Sequence, residues 1–138
     1  MTERFLIDTN ILVYAFTNID SKKQKNAKEI IYKARDLGFG YISKQNIIEL
    51  IDTNRKFSKN LSNKELDKII TGLESLKIID YNTTTIKKAL DIQTQTNISF
   101  FDSLIIQTMI ENNIYLIYTE NEKDFRKTKQ ISVINPFK

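Results

Sequence analysis

Short apolar runs rich in β-branched and aromatic residues alternate with longer helical stretches from one end of the chain to the other. The runs cover residues 4–7, 39–42, 77–81, 115–119 and 131–134, and their Ile, Val, Phe and Tyr content is that of buried strands. The first intervening helix is expected over residues 11–16, with Asn10 as its cap. The next spans residues 22–37 and stops at Gly38, a residue suited to a left-handed C-terminal turn. A third covers residues 44–57. Ser62-Asn63-Lys64-Glu65 has the form of a capping box and starts a helix running to Leu76. Thr83 or Thr84 caps a helix reaching about Thr96, and a last one covers residues 101–112. Strands that alternate with helices pair in parallel, with helices on both faces of the sheet. The fold class expected is therefore α/β. With 138 residues, three Gly, one Pro and no linker-like segment, the chain is expected to form a single domain over residues 1–138.

The chain contains no His and no Cys. That removes thiolate zinc sites, disulfides, Cys nucleophiles, Ser-His-Asp triads and histidine acid–base pairs together. What remains for chemistry is carboxylate oxygen, which suits a hard divalent cation. In a parallel α/β sheet, sites form beyond the carboxyl ends of the strands. Asp8 follows the run Phe5-Leu6-Ile7, and Asp124 follows Tyr115-Leu116-Ile117-Tyr118-Thr119. Asp8 could equally cap the helix after it. On a helical wheel Ile105, Ile106 and Met109 flank the direction of Asp102, so a carboxylate is aimed into an apolar face where an unpaired charge is costly. Its simpler role is in a capping box with Ser99. In Asn46-Ile47-Ile48-Glu49-Leu50-Ile51 the apolar residues centre on a direction nearly opposite Glu49, which reads as a solvated face. Asp124 shares its loop with Glu120 and Glu122, both competing candidates.

Net charge is +4, and removing those four carboxylates from the 17 acidic residues leaves 13 against 21 basic ones. A basic exterior around an acidic centre suits a polyanionic substrate. Basic clusters lie at Lys22, Lys23, Lys25 and Lys28, at Arg55, Lys56 and Lys59, and at Lys123, Arg126, Lys127 and Lys129; the third adjoins the acids and is the one expected to contact phosphate. Phe100 and Phe101 could stack on a base or pack in the core. No run approaches the ~20 apolar residues of a membrane helix, and the charged Met1-Thr2-Glu3-Arg4 start lacks a signal-peptide core, so a cytoplasmic protein is expected.

Taken together, four segments resemble the PIN-domain family of metal-dependent ribonucleases, especially the VapC-type toxins. Ile7-Asp8-Thr9-Asn10-Ile11-Leu12-Val13-Tyr14 is similar to the family's first motif, and Ser43-Lys44-Gln45-Asn46-Ile47-Ile48-Glu49-Leu50 to its second. Phe100-Phe101-Asp102-Ser103-Leu104-Ile105-Ile106 resembles the third, and Tyr118-Thr119-Glu120-Asn121-Glu122-Lys123-Asp124-Phe125 the fourth. The ending Ile134-Asn135-Pro136-Phe137 is also similar. The resemblance implies a three-layer α/β/α sandwich with a central parallel sheet. It also implies a Mg2+ or Mn2+ ion held by Asp8, Glu49, Asp102 and Asp124, with Thr9 and Thr119 orienting them. RNA would be hydrolysed by activated water, leaving a 5′-phosphate. A cognate antitoxin and a homodimer are further implications. Many relatives carry Asp where this chain has Asn121; here the fourth role passes to Asp124. Rival readings are a housekeeping PIN nuclease of RNA processing, an inactive PIN fold that only binds, and a phospho-receiver module with Asp80 as acceptor.

Overall fold

A computed structural model describes residues 3–57 and 60–138. Five parallel strands form one sheet: β1 (Phe5–Ile7), β2 (Gly40–Ser43), β3 (Lys77–Ile79), β4 (Leu116–Tyr118) and β5 (Ser132–Ile134), in the order β3-β2-β1-β4-β5. Among the described residues seven helices connect them: α1 (Thr9–Phe16), α2 (Ser21–Leu37), α3 (Lys44–Asn54), α4 (Asn63–Leu73), α5 (Thr83–Thr96), α6 (Phe100–Glu111) and α7 (Glu122–Phe125).

Successive strand residues point to opposite faces, and that alternation builds two cores. Leu6, Ile79 and Ile117 pack with Ile92 of α5, with Ile105, Ile106 and Met109 of α6, and with Phe125. Ile7 and Ile42 face the other way, onto Ile11 and Leu12 of α1, Ala27 and Ala34 of α2, Leu50 of α3 and Leu73 of α4. The central strands β1, β2 and β4 are thus covered on both sides, which is why they read as apolar runs, while the edge strands β3 and β5 keep exposed residues. Each Leu or Ile sealed this way contributes about 1.5–3 kcal/mol.

The expected α/β/α sandwich with a central parallel sheet is the observed architecture, and the local corrections concern helix ends. Asp8, not Asn10, caps α1: the helix starts two residues earlier than expected, and the Asp8 side chain accepts from the Thr9 amide. Asn82 rather than Thr83 or Thr84 caps α5, exchanging hydrogen bonds with Thr85 in a capping box. α3 ends at Asn54 instead of Phe57, where the buried Asn54 amide clamps Leu61 through both its backbone groups at 3.0 and 2.8 Å. The Ser62 capping box is present, but α4 stops at Leu73 rather than Leu76. Residues 122–125, expected as loop, form the short α7. Gly38 closes α2 in the left-handed conformation at φ 74°, as its position predicts.

One glycine fixes the spacing between layers. A Cβ on Gly40 would lie 2.0 Å from Ala34 Cβ and 2.7 Å from Ala34 Cα, so α2 approaches β2 more closely than any side chain permits. Backbone cannot swing aside as a flexible side chain could. Gly40→Ala should therefore destabilise the fold by about 1–3 kcal/mol through overpacking, seen as a lower urea midpoint at unchanged slope. An unchanged midpoint would contradict this contact.

Candidate metal centre

β1 is central, with β2 and β3 laid on one side and β4 and β5 on the other, so strand order switches between β1 and β4. The crevice at their carboxyl ends is where this kind of sheet places ligands. Asp8 stands there. Its amide donates to Tyr118 O at 3.0 Å, fixing it to the end of β4. Its carboxylate accepts from the Thr9 amide at 2.8 Å, from Thr119 Oγ1 at 2.7 Å and from Asn10 Nδ2 at 3.3 Å. Burial pushes the Asp8 carboxyl up to about 6 despite the hydrogen bonds from Thr119 and Thr9, with the Glu49 charge adding to the rise.

Two polar side chains carry this arrangement across to α3. Thr9 Oγ1 donates to Glu49 Oε1 at 2.8 Å and accepts from Asn46 Nδ2 at 3.0 Å. Asn46 also accepts from the Ser43 amide at 2.8 Å, which locks the helix start. Burial raises the Glu49 carboxyl, and the charges of Asp102 and Asp52 push the same way. The inward face of α3 is polar: Gln45 and Asn46 are buried with Leu50, while Ile48 stands 57% exposed. The wheel argument for Glu49 assumed that apolar residues point inward; Ile47 and Leu50 do, but Ile48 turns to the cleft while Gln45 and Asn46 are buried.

Asp102 lies in the first turn of α6, where Ser99 Oγ accepts its amide at 3.1 Å. The cap and the acid thus coexist. Its carboxyl is also pushed up to about 6, first by burial, then by the charge of Asp8 and, behind the Ser99 hydrogen bond, that of Asp124. Asn121 Nδ2 donates to Asp102 Oδ2 at 3.2 Å and to Asp124 Oδ2 at 3.3 Å, joining the two acids.

A cleft of about 780 Å³ is lined by Asp8, Thr9, Asn10, Glu49, Asp102 and Asn121, together with Ile19, Ile48, Lys56, Phe57 and Phe101 among others. Asp124 does not line the cleft and joins the group through its charge on Asp102 and through the Asn121 hydrogen bond. The two competing acids are engaged elsewhere. Glu120 accepts from Tyr14 Oη at 2.6 Å and pairs with Lys23; burial tends to raise it, but those partners hold it below the ordinary range. Glu122 pairs with Lys138 and, at 3.6 Å, with Arg126. Two of the four cations of the third basic cluster are therefore paired locally, since Lys127 also meets Asp124 at 3.6 Å. It is Lys56, from the second cluster, that reaches the cleft, where it stands 3.9 Å from Asp52 in an exposed pair that a phosphate can displace. Lys59 of that cluster lies outside the described residues. Gln45, Asn46 and Asn10 as supports of the acids were not singled out from sequence. The one available signal was Asn46 three residues after Ser43, a capping-box spacing.

Among the described residues, no group of three or more acids is gathered tightly enough to enclose an ion by itself. That does not disfavour magnesium, which keeps several waters and takes only one or two carboxylates directly. The Asp8 charge raises the proton affinity of Asp102, that of Glu49 raises Asp8, and all their donors are oxygens, so the group fits a hard divalent cation.

The PIN domain family profile matches residues 5–131. This chain belongs to the PIN domain family. Solved PIN structures share its fold over nearly their whole length. A toxin–antitoxin complex from Klebsiella pneumoniae aligns with TM-score 0.70 at 20% identity, covering 95% of this chain and 96% of that one. The sarcin-ricin loop cleaving toxin VapC20 of Mycobacterium tuberculosis gives 0.73 at 14% identity, covering 95% and 99%. VapBC2 of Rickettsia felis, bound to a DNA fragment from its promoter, gives 0.67 at 23% identity, covering 95% and 97%. No curated protein sequence matches the chain. PIN membership displaces the phospho-receiver reading. Asp80 follows the edge strand β3, far in strand order from the switch point, and pairs with Lys44 at 2.9 Å on the surface.

Proposed function

We propose that this PIN domain is a Mg2+- or Mn2+-dependent endoribonuclease, the toxin of a type II toxin–antitoxin pair. The observation that carries the nuclease reading is the pair of carboxyls, buried Asp8 and half-buried Asp102, each raised to about 6 beside Glu49 in one cleft at the switch point. Such clustered perturbed acids mark a functional site rather than a structural one. Asp8 and Asp102 would hold the ion, with Glu49 and Asp124 reaching it through water. A divalent ion there supplies positive charge at the scissile phosphate and acidifies water. Thr119 and the Thr9 amide keep the Asp8 carboxylate in place. Glu49 Oε1 is held by Thr9, whereas Oε2 has only a 3.5 Å contact from Gln45 and is the oxygen left to accept a proton from attacking water. Lys56 supplies charge for the RNA backbone at the cleft wall.

The toxin half of the proposal draws on the solved neighbours, several of which are toxin–antitoxin complexes. A small antitoxin that covers the cleft is the implied partner, and a homodimer is the implied assembly. Among the described residues no helix is long and apolar enough to cross a membrane, which accords with action on cytoplasmic RNA.

The test is cleavage of structured and single-stranded RNAs with magnesium, with manganese and with chelator. Cleavage that needs the ion, leaving 5′-phosphate ends, is expected. Cleavage insensitive to chelator, or none with either ion, would defeat the nuclease reading. Growth arrest on expression, relieved by a neighbouring gene product, would separate a toxin from a housekeeping nuclease.

A further inference from the structure

The acid cleft has an apolar side that the metal chemistry leaves unused. Phe101 is 61% exposed, Ile48 57% and Ile19 54%, and all three line the cleft with the carboxylates. Of the two adjacent phenylalanines, Phe100 is half-buried and Phe101 is not. An aromatic ring left in water beside an acidic centre, one residue from Asp102, has no packing role that explains it.

The ring is also held in place. Gln45 Nε2 donates to Phe101 O at 2.8 Å and contacts Glu49 Oε2 at 3.5 Å, so one buried amide ties the Phe101 backbone to the proposed proton acceptor. Ser99 caps the same helical turn, and Phe100 meets Phe101 edge-on at 6.1 Å and 69°. Its exposed surface is thus presented from a fixed helix start, and a stacking platform needs that rigidity.

We infer that Phe101 is a base-stacking residue: it receives the nucleobase next to the scissile phosphate, with Ile48 as the apolar wall beside it. This rests on the nuclease reading for the position of the phosphate. A phosphate engaged at Asp8 and Asp102 brings its own flanking base to the cleft wall, and Lys56 on that wall complements the backbone charge. Because a stacked base must leave its neighbours, the site selects an unpaired nucleotide at the cut. Phe101 acts on substrate binding and placement, and the acids carry the chemistry.

The chain contains no Trp, so F101W places a single indole at the platform. Titration with a short oligoribonucleotide should quench its emission, while the same oligomer carrying abasic riboses should not. On RNA cleavage, F101A should lose about 5- to 100-fold in kcat/KM, and F101W should retain most of it. An abasic substitution next to the cut should cost the wild type a similar factor and cost F101A little more. Thermal melts of both variants check that they fold. Quenching equal with intact and abasic oligomers, or F101A cleaving within about twofold of wild type, would overturn the inference. So would F101A that cleaves normally but escapes inhibition by a neighbouring gene product, which would assign the ring to protein docking. Quenching without cleavage would instead sink the nuclease reading and leave the platform standing.

Discussion

Asp8→Asn should stabilise the metal-free protein at pH 8 while lowering RNA cleavage by roughly a thousandfold or more. The two effects come from one cause. Asp8 is buried, 7% exposed, and its carboxyl sits at about 6 in the fold against 3.8 in the unfolded chain. Below pH 3.8 it is protonated in both states and stability is undiminished. As pH rises toward 6 the unfolded chain releases its proton first, so the fold is progressively penalised, and above 6 the whole penalty is present. A neutral Asn removes it and keeps an oxygen for the Thr9 amide. The gain should be about 1–3 kcal/mol at pH 8, shrinking to about half a kcal/mol or less by pH 4. Urea unfolding at both pH values with chelator present reads it directly. A variant destabilised at pH 8, or equally stabilised at pH 4, would show that Asp8 is not a strained anion.

Asn121→Asp should move stability the other way. Its Nδ2 donates to Asp102 at 3.2 Å and to Asp124 at 3.3 Å, holding two like charges by one neutral donor. Aspartate there removes the donor and adds a third negative group. The metal-free protein should lose about 1–3 kcal/mol at pH 8, and acidification should restore much of it as the carboxyls protonate. The added ligand charge should tighten Mn2+ binding by about one order of magnitude. Thermal melts with and without Mn2+ test both halves. If the variant is neutral without metal and binds Mn2+ no better, Asn121 does not bridge these acids in solution.

The sheet and its two helical layers were legible because buried parallel strands announce themselves: Phe5-Leu6-Ile7 and Leu116-Ile117-Tyr118 have no polar residue to alternate. Helix ends were less legible. Asp8 serves as cap and candidate ligand at once, and the sequence offered Asn10 as an equally good cap. The four acids were visible because a chain without His or Cys has few other groups for chemistry. Their surroundings were not. Glu49 looked solvated because its helix turns Ile48 into the cleft and buries Gln45 and Asn46, an arrangement that helical periodicity alone reads backwards. The neutralisation of Arg126 and Lys127 depends on α7, whose four residues are too few to leave a periodic signal.

Calorimetric titration of Mn2+ into the wild type, Asp8→Asn and Asp102→Asn, each at pH 6 and pH 8, bears most directly on the shared metal centre. The wild type should bind with release of protons at pH 6, where Asp8 and Asp102 are partly protonated, and with little release at pH 8. Either substitution should remove most of the binding and its proton release. Binding that is unchanged in both variants, or absent from the wild type at both pH values, would contradict a site built on these two carboxylates.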